Sequence, residues 1–219
     1  MIRTIPYYVY AHDMKRLLVP PLLTDIVQSG LLACEGIVFG NREACPACGG
    51  ELSGYDTKQK QFASLQDGDA LLTVHVSVRR FSCKECHAVC FADEPFYPGT
   101  RIGSPVVDLC VSLATAMPYH RAAVYLTGLG IRVDRGTVRN FARKGCARVS
   151  GTDIFGIRLP SSILALSELA AHTGKGSRIP GTEALAACGF PSAYRAAADL
   201  PFFPEKRDER YKQESNEER

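Results

Sequence analysis

An α+β fold is what this sequence predicts: a small antiparallel ribbon stapled by cysteines, then an all-α segment, then further helices. Three observations carry the prediction. Two Cys-x-x-Cys pairs, Cys45/Cys48 and Cys83/Cys86, bracket a stretch with strand character. Residues 70–83, ALLTVHVSVRRFSC, alternate between apolar and polar with period two. From residue 105 onward the apolar positions recur with the 3.6-residue period of a helix instead.

In chain order, residues 1–40 hold one helix candidate, DMKRLLVPPLLTDIVQSGLLA, apolar at Leu22, Leu23, Ile26 and Val27 and ending near Gly30. Its expected role is to complete a core, with packing on the ribbon or pairing of two copies as a homo-oligomer the alternatives. The longest apolar runs fall short of the roughly 20 residues that a bilayer span needs, so no membrane partner is expected. The first residues show no basic stretch followed by an apolar core and a small-residue cleavage site, and a cytoplasmic location follows as an expectation. Nine cysteines, an odd number, in such a chain point to metal binding and buried thiols before disulfides.

Residues 41–98 form the ribbon. Two thiolates three residues apart at a tight turn grip one tetrahedral ion, and two such turns complete a closed, structural four-sulfur shell of Cys45, Cys48, Cys83 and Cys86. Pro46 and Gly49 suit the first turn, because Pro fixes φ on entry and Gly accepts the positive φ that often follows the second cysteine. At the second turn His87 stands where glycine is usual, and histidine tolerates positive φ better than most residues. The strand entering that turn places Leu72, Val74, Val76 and Val78 on one face and Thr73, His75, Ser77 and Arg79 on the other. GGELSGYDTKQKQF supplies a first strand and AVCFAD (88–93) an exit strand. Such a sheet is poor in core and depends on its metal, expected to be one structural Zn²⁺. Iron uses the same four sulfurs, but nothing else in the chain suggests electron transfer. Cys90 and His87 lie near enough to Cys86 to compete as ligands and are read as strand and turn residues. Cys34, Cys110, Cys146 and Cys188 sit in apolar contexts and are read as core.

After a Pro/Gly-rich linker, EPFYPGTRIGS, residues 99–148 read as three helices. Ser104 is the expected cap of a first helix over about 105–117, with Pro105 at its first position and Val106, Leu109, Cys110 and Leu113 inward. Pro118 opens a second, PYHRAAVYL, and Gly128 and Gly130 make a turn. Asp134 caps a third, RGTVRNFARK, with Val138, Phe141 and Ala142 inward. A helix, a short helix, a Gly-containing turn and a third helix is the order of a helix-turn-helix.

Charge singles out the same segment. Residues 99–149 carry eight basic residues against two acids, Asp108 and Asp134, whereas residues 41–98 carry six against eight. Double-stranded DNA is the partner this pattern predicts. The outward residues of the third helix are Arg135, Thr137, Arg139, Asn140, Arg143 and Lys144, a set able to pair with guanine, adenine and phosphate. Arg139, Asn140 and Arg143 are the expected base contacts, and Arg121, Lys144 and Arg148 the expected phosphate contacts, with the ribbon as scaffold and phosphate clamp. A plain three-helix bundle with a basic face is the alternative.

Together the ribbon and the helices resemble the N-terminal part of bacterial and archaeal insertion-sequence transposases over about residues 41–148. Arg79, Arg80, Phe81, Cys83 and Cys86 match an Arg-Arg-Phe-x-Cys-x-x-Cys knuckle in that family. Pro118, Tyr119, Arg121 and Ala122 match the helix after it, and Val133, Gly136, Thr137, Val138, Asn140 and Phe141 the reading helix. The resemblance implies a downstream RNase-H-like domain whose three carboxylates hold two divalent ions. About 70 residues follow the third helix, fewer than the 100 or more such a core is expected to need. Residues 149–204 read as two helices, in PSSILALSELAAHTG and TEALAACGFPSAYRAAADL, with no β-rich run, and 205–219 as a charged, disordered tail. Asp153, Glu168 and Glu183 are the available acids; the last two are expected to face solvent, and none is assigned a catalytic role. The expectation is a non-catalytic DNA-binding protein. An active nuclease with a compact catalytic part and a zinc-stabilised protein-interaction module remain the alternatives.

Overall fold

The computed structural model describes residues 19–68, 70–144, 150–173 and 178–190, and within them the fold is α+β with six helices and two sheets. The tail 205–219, residues 1–18, and Arg148 and Cys146 lie outside the described residues.

Pro20 and Pro21 open α1 (Pro21–Leu32), proline being tolerated where helix N–H groups lack acceptors in any case. The helix buries Leu23, Val27, Gly30 and Leu31, while Leu22 is exposed. It does not stop at Gly30. That glycine lies against the backbone of a later helix, where a Cβ would come within 2.9 Å of Ser167 N, so its value is close approach and not termination.

The main sheet is built around a long hairpin, β2 (Leu52–Asp67) and β3 (Ala70–Cys83), paired antiparallel from Leu52↔Cys83 to Asp67↔Ala70. On the other side of β3, β1 (Val38–Phe39) pairs parallel with Ser77 and Val78, and β4 (Val89–Phe91) pairs antiparallel with Arg80 to Ser82. β2 is therefore longer than the sequence pattern suggests. β1 is a two-residue strand defined wholly by a partner about 40 residues away, which local periodicity does not register. Val74, Val76 and Val78 are fully buried as their alternation predicts. Leu72 shares their face but is 46% exposed, because it lies at the turn end of the hairpin, beyond the side chains that cover the valines.

Three helices follow: α2 (Ser104–Ala116), α3 (Tyr119–Gly128) and α4 (Arg135–Arg143), packed on one another. Ser104 is the first residue of α2 and not its cap; Gly103 holds that place, with its N–H on Phe62 O at 2.9 Å. Residues 149–204 are not purely helical. They begin with a hairpin, β5 (Gly151–Ile154) and β6 (Ile157–Pro160), turning through Phe155 and Gly156, both at positive φ. Then come α5 (Ser161–His172) and α6 (Gly181–Ala187).

One cluster of buried side chains runs through all of these parts. Leu23 and Leu31 of α1, Phe62 and Val76 of the hairpin, Leu109 and Leu126 of the three helices, and Leu166 and Leu185 near the end belong to it. The ribbon sheet thus has a core, supplied by the helices that cover it. The Pro/Gly-rich stretch between sheet and helices is a packed strap, not a loose linker: Pro95, Phe96 and Tyr97 are buried and Phe96 meets Phe62 edge-on, with centroids 6.1 Å apart. Asp93 and Glu94 at its start pair with Arg42 and Lys60, and Tyr97 donates to Asp108 of α2 at 2.5 Å.

Candidate metal centre and nucleic-acid interface

The sequence places its four paired cysteines on two turns of identical construction. At the first, Cys45 N–H donates to Gly50 O (3.1 Å) and Gly49 N–H to Cys45 O (2.9 Å). At the second, Cys83 N–H donates to Ala88 O (3.0 Å) and His87 N–H to Cys83 O (3.2 Å). The two hydrogen-bond patterns correspond residue for residue: Cys45 with Cys83, Cys48 with Cys86, Gly49 with His87. Gly49 has φ +76° and His87 φ +59°, so the histidine occupies the left-handed position expected of it.

The hairpin register, with Leu52 opposite Cys83, carries the two knuckles together. Their four Sγ atoms all lie within 4.8 Å of one another. Cys45 Sγ is 3.6 Å from Cys86 Sγ, and Cys48 Sγ is 3.5 Å from Cys83 Sγ. A tetrahedral ion with bonds of about 2.3 Å to sulfur needs sulfurs about 3.8 Å apart, so the cluster can hold one metal ion after a small expansion. Cys90 and His87 are not members of the cluster.

Within each knuckle the two thiols differ. Backbone amides of Ala47 and then Cys48 hold the Cys45 thiol down to about 7, and those of Cys86 and Glu85 lower the Cys83 thiol. The Gly50 amide also pulls on Cys48, but the adjacent sulfurs of Cys86 and Cys83 outweigh it and push that thiol up to about 12. Cys86 is likewise raised: the Ala88 amide and Cys48 lower it, while Cys83, burial and Cys45 raise it by more. The first cysteine of each pair is buried with its thiol lowered by backbone amides, and the second is exposed with its thiol raised by the neighbouring sulfurs. Cys34, Cys110 and Cys188 are buried, as their apolar contexts predict.

The basic segment folds as its periodicity indicates. Asp134 caps α4, accepting from Thr137 N at 2.9 Å and Thr137 Oγ1 at 2.7 Å, which holds its carboxyl below the usual range. Val138 and Phe141 face inward and Ala142 is half-buried. Arg135, Arg139, Asn140, Arg143 and Lys144 are exposed on α4, and Arg121 on α3. Two of the predicted contact residues have structural partners. Thr137 is half-buried and its hydroxyl serves the Asp134 cap, and Lys144 Nζ donates to Gly99 O at 3.1 Å.

Ion pairing separates the two parts of the protein. Among the described residues the pairs are Arg42–Asp93, Lys60–Glu94, Arg80–Asp56, Lys84–Glu51 and Arg158–Asp153. None involves Arg121, Arg132, Arg135, Arg139 or Arg143. Neither acid of the helical segment forms an ion pair with them: Asp134 accepts from Thr137, and Asp108 is fully buried, accepting from Tyr97 and from Ser162 Oγ (2.7 Å). Pattern reading missed Asp108: it falls on the inner face of α2 between Val107 and Leu109, where a carboxylate breaks an otherwise apolar run. Of the other acids, Asp153 is exposed and paired with Arg158, while Glu168 and Glu183 are half-buried on separate helices.

Among the described residues no helix is long and apolar enough to cross a membrane. In comparisons with protein-family models, curated proteins and solved structures, nothing matches this chain.

Proposed function

We propose that this protein binds double-stranded DNA through α3 and α4 acting as a helix-turn-helix, with a structural zinc ion in the Cys45/Cys48/Cys83/Cys86 cluster holding the ribbon that supports them. On this reading it acts as the DNA-recognition portion of an insertion-sequence transposase does. The observation that carries it is the ridge Arg135, Arg139 and Arg143, spaced i, i+4, i+8 on one exposed face of α4 with no carboxylate partner among the described residues. Successive arginines on that ridge stand about 6 Å apart along the helix axis. Unpaired guanidinium groups in a row attract phosphate and reach guanine edges, whereas a solvated face evolved for solubility intersperses both signs.

On this reading Arg139, Asn140 and Arg143 serve as base contacts and Arg121 and Lys144 as phosphate contacts, and Thr137 also supports the Asp134 cap. The ribbon serves as scaffold, with Arg42, Lys60, Arg80 and Lys84 in ion pairs, and as phosphate clamp through the exposed Lys58 and Arg79.

The test is a titration of the zinc-loaded chain with random and selected duplexes at several salt concentrations. Affinity that falls linearly on a log–log plot, with a slope that loses about one unit for each phosphate-contacting arginine removed, supports the reading. Binding to an acidic protein but to no duplex would replace it with an interaction module. Magnesium-dependent nicking lost on Asp153→Ala would replace it with a nuclease.

A further inference from the structure

Where α2 ends and both α3 and α4 begin, the surface holds an open cleft of about 330 Å³ lined by Ala114, Met117, Pro118, Tyr119, His120 and Arg135. We propose that this cleft takes a nucleobase unstacked from the DNA strand that α4 contacts; the proposal rests on the nucleic-acid reading above. It is a site of a different kind from groove reading.

The lining has the right chemistry. Ala114, Met117 and Pro118 supply an apolar surface, and Tyr119 and His120 supply flat rings of the sort on which splayed bases stack. The volume stands at the small end of ligand pockets, enough for one base with its sugar.

The backbone at the junction favours a base over a simple anion. Pro118 has no N–H, so it cannot serve the Ala114 carbonyl four residues earlier, and α2 stops with Met117 extended. α3 starts on Pro118 with no side chain capping its first amides. The last turn of α2 and the first turn of α3, with their carbonyls and amides lacking helix-internal partners, thus lie on either side of Pro118. Phosphate would suit the amides and be repelled by the carbonyls, whereas the edge of a base carries both donors and acceptors.

Arg135 connects the cleft to the reading surface. It is the first residue of α4, the head of the arginine ridge and part of the cleft wall. A strand following the ridge places a phosphate on Arg135 and the attached nucleotide at the cleft mouth.

The zinc-loaded full-length chain is titrated with a fully paired duplex, with the same duplex carrying one unpaired 2-aminopurine, and with AMP alone. The bulged duplex is expected to bind on the order of tenfold tighter, as one stacked base warrants, with a change in 2-aminopurine fluorescence. His120→Ala and Met117→Ala remove that advantage and leave the paired duplex as before. Equal affinity for both duplexes overturns the proposal, and so does a loss in His120→Ala that is the same for both. If neither duplex binds, the DNA reading falls and AMP decides for the cleft: shifted His120 ring resonances keep it as a base site, and unmoved ones remove it.

Discussion

The ribbon and the three-helix segment carry similar numbers of cations and use them in opposite ways. On the ribbon, Lys60 sits between Glu94 and the rings of Phe91 and Phe96, 4.2 and 5.1 Å from their centroids, and Arg80 is held by Asp56 over Tyr55 and Phe91. These cations hold strands and strap together. On α3 and α4 the arginines reach into solvent with no ion pair among the described residues, because Asp108 is held in a buried network and Asp134, next to Arg135, accepts from Thr137 instead. The formal charges of the two segments, −2 and +6, already differ by eight, and pairing follows the same division: four of the ribbon's six cations stand in ion pairs, and none of the arginines of α3 and α4 does among the described residues. Net charge and pairing single out the same exposed face of α4.

The sharpest way to break the comparison is to remove the metal. Cys83→Ser exchanges a buried ligand for a poor one, and the expected outcome is loss of bound zinc. Tm should fall by roughly 10 °C or more, given about 2–4 °C per kcal/mol for a chain of this size. Because helices cover the sheet, far-UV circular dichroism should keep most of its helical signal, unlike an isolated ribbon that unfolds outright. Metal uptake must also release protons. Cys48 near 12 and the raised Cys86 stay protonated at pH 7 until an ion displaces them, so affinity rises with pH and about two or more protons leave per ion. Calorimetry in buffers of different ionisation enthalpy counts them, and release of none would exclude thiolate ligation.

Next in size is Asp108→Ala. It strands the hydroxyls of Tyr97 and Ser162 in the core, at about 1–3 kcal/mol each, and unties strap, α2 and α5 together. Thermal denaturation should show a drop comparable to that of a core truncation, with duplex affinity unchanged below the transition. A loss of affinity in the folded variant would mean that this network, and not the arginine ridge, sets the binding surface.

The charge comparison itself is tested by matched neutralisations. Arg139→Ala and Arg143→Ala together should weaken duplex binding by roughly 100-fold and leave Tm within about a degree, since surface changes away from special features seldom exceed 0.5 kcal/mol. Lys60→Met and Arg80→Met should do the reverse, lowering Tm slightly and sparing affinity. Equal effects from both pairs would erase the distinction between the two regions.

What could be read from the sequence, and what could not, follows the same division between local and distant causes. The knuckles, β3, the capped α4 and the apolar faces of α2 and α4 are written in short-range spacing, and each stands where the residues put it. β1 exists through Ser77 and Val78, and Leu72 is exposed through its place on the hairpin; neither is a local property. The β5–β6 hairpin escaped notice because its turn begins with Phe155 at φ +52°, where Asn, Asp or Gly is the usual signal. On α4 the exposed arginines were legible, but the hydrogen bonds of Thr137 and Lys144 were not, since a residue engaged by its own cap or by a loop 45 residues away looks the same in a helical wheel.

Asp134 gives the smallest and most discriminating effect, because it joins a structural role to an electrostatic one. Its carboxylate caps α4 while placing a negative charge beside the first arginine of the ridge. Asp134→Ala loses the cap, at about 1 kcal/mol, and should fray the turn that carries Arg135. Asp134→Asn keeps an oxygen for the Thr137 amide and removes the charge, at the loss of the second acceptor that takes the Thr137 hydroxyl. Folded Asp134 has a lowered pKa, so its stabilisation is present above the ordinary carboxylate range, near 3.9, and is lost as pH falls through the folded value; Asp134→Asn should flatten that part of the acid limb. If the ridge meets phosphate, Asp134→Asn binds duplex two- to threefold tighter at low salt, with the gain fading as salt screens it, and Asp134→Ala binds more weakly than either. Tighter binding by both variants would show that charge alone matters and that α4 need not be held in shape, which would place the contacts outside the helix.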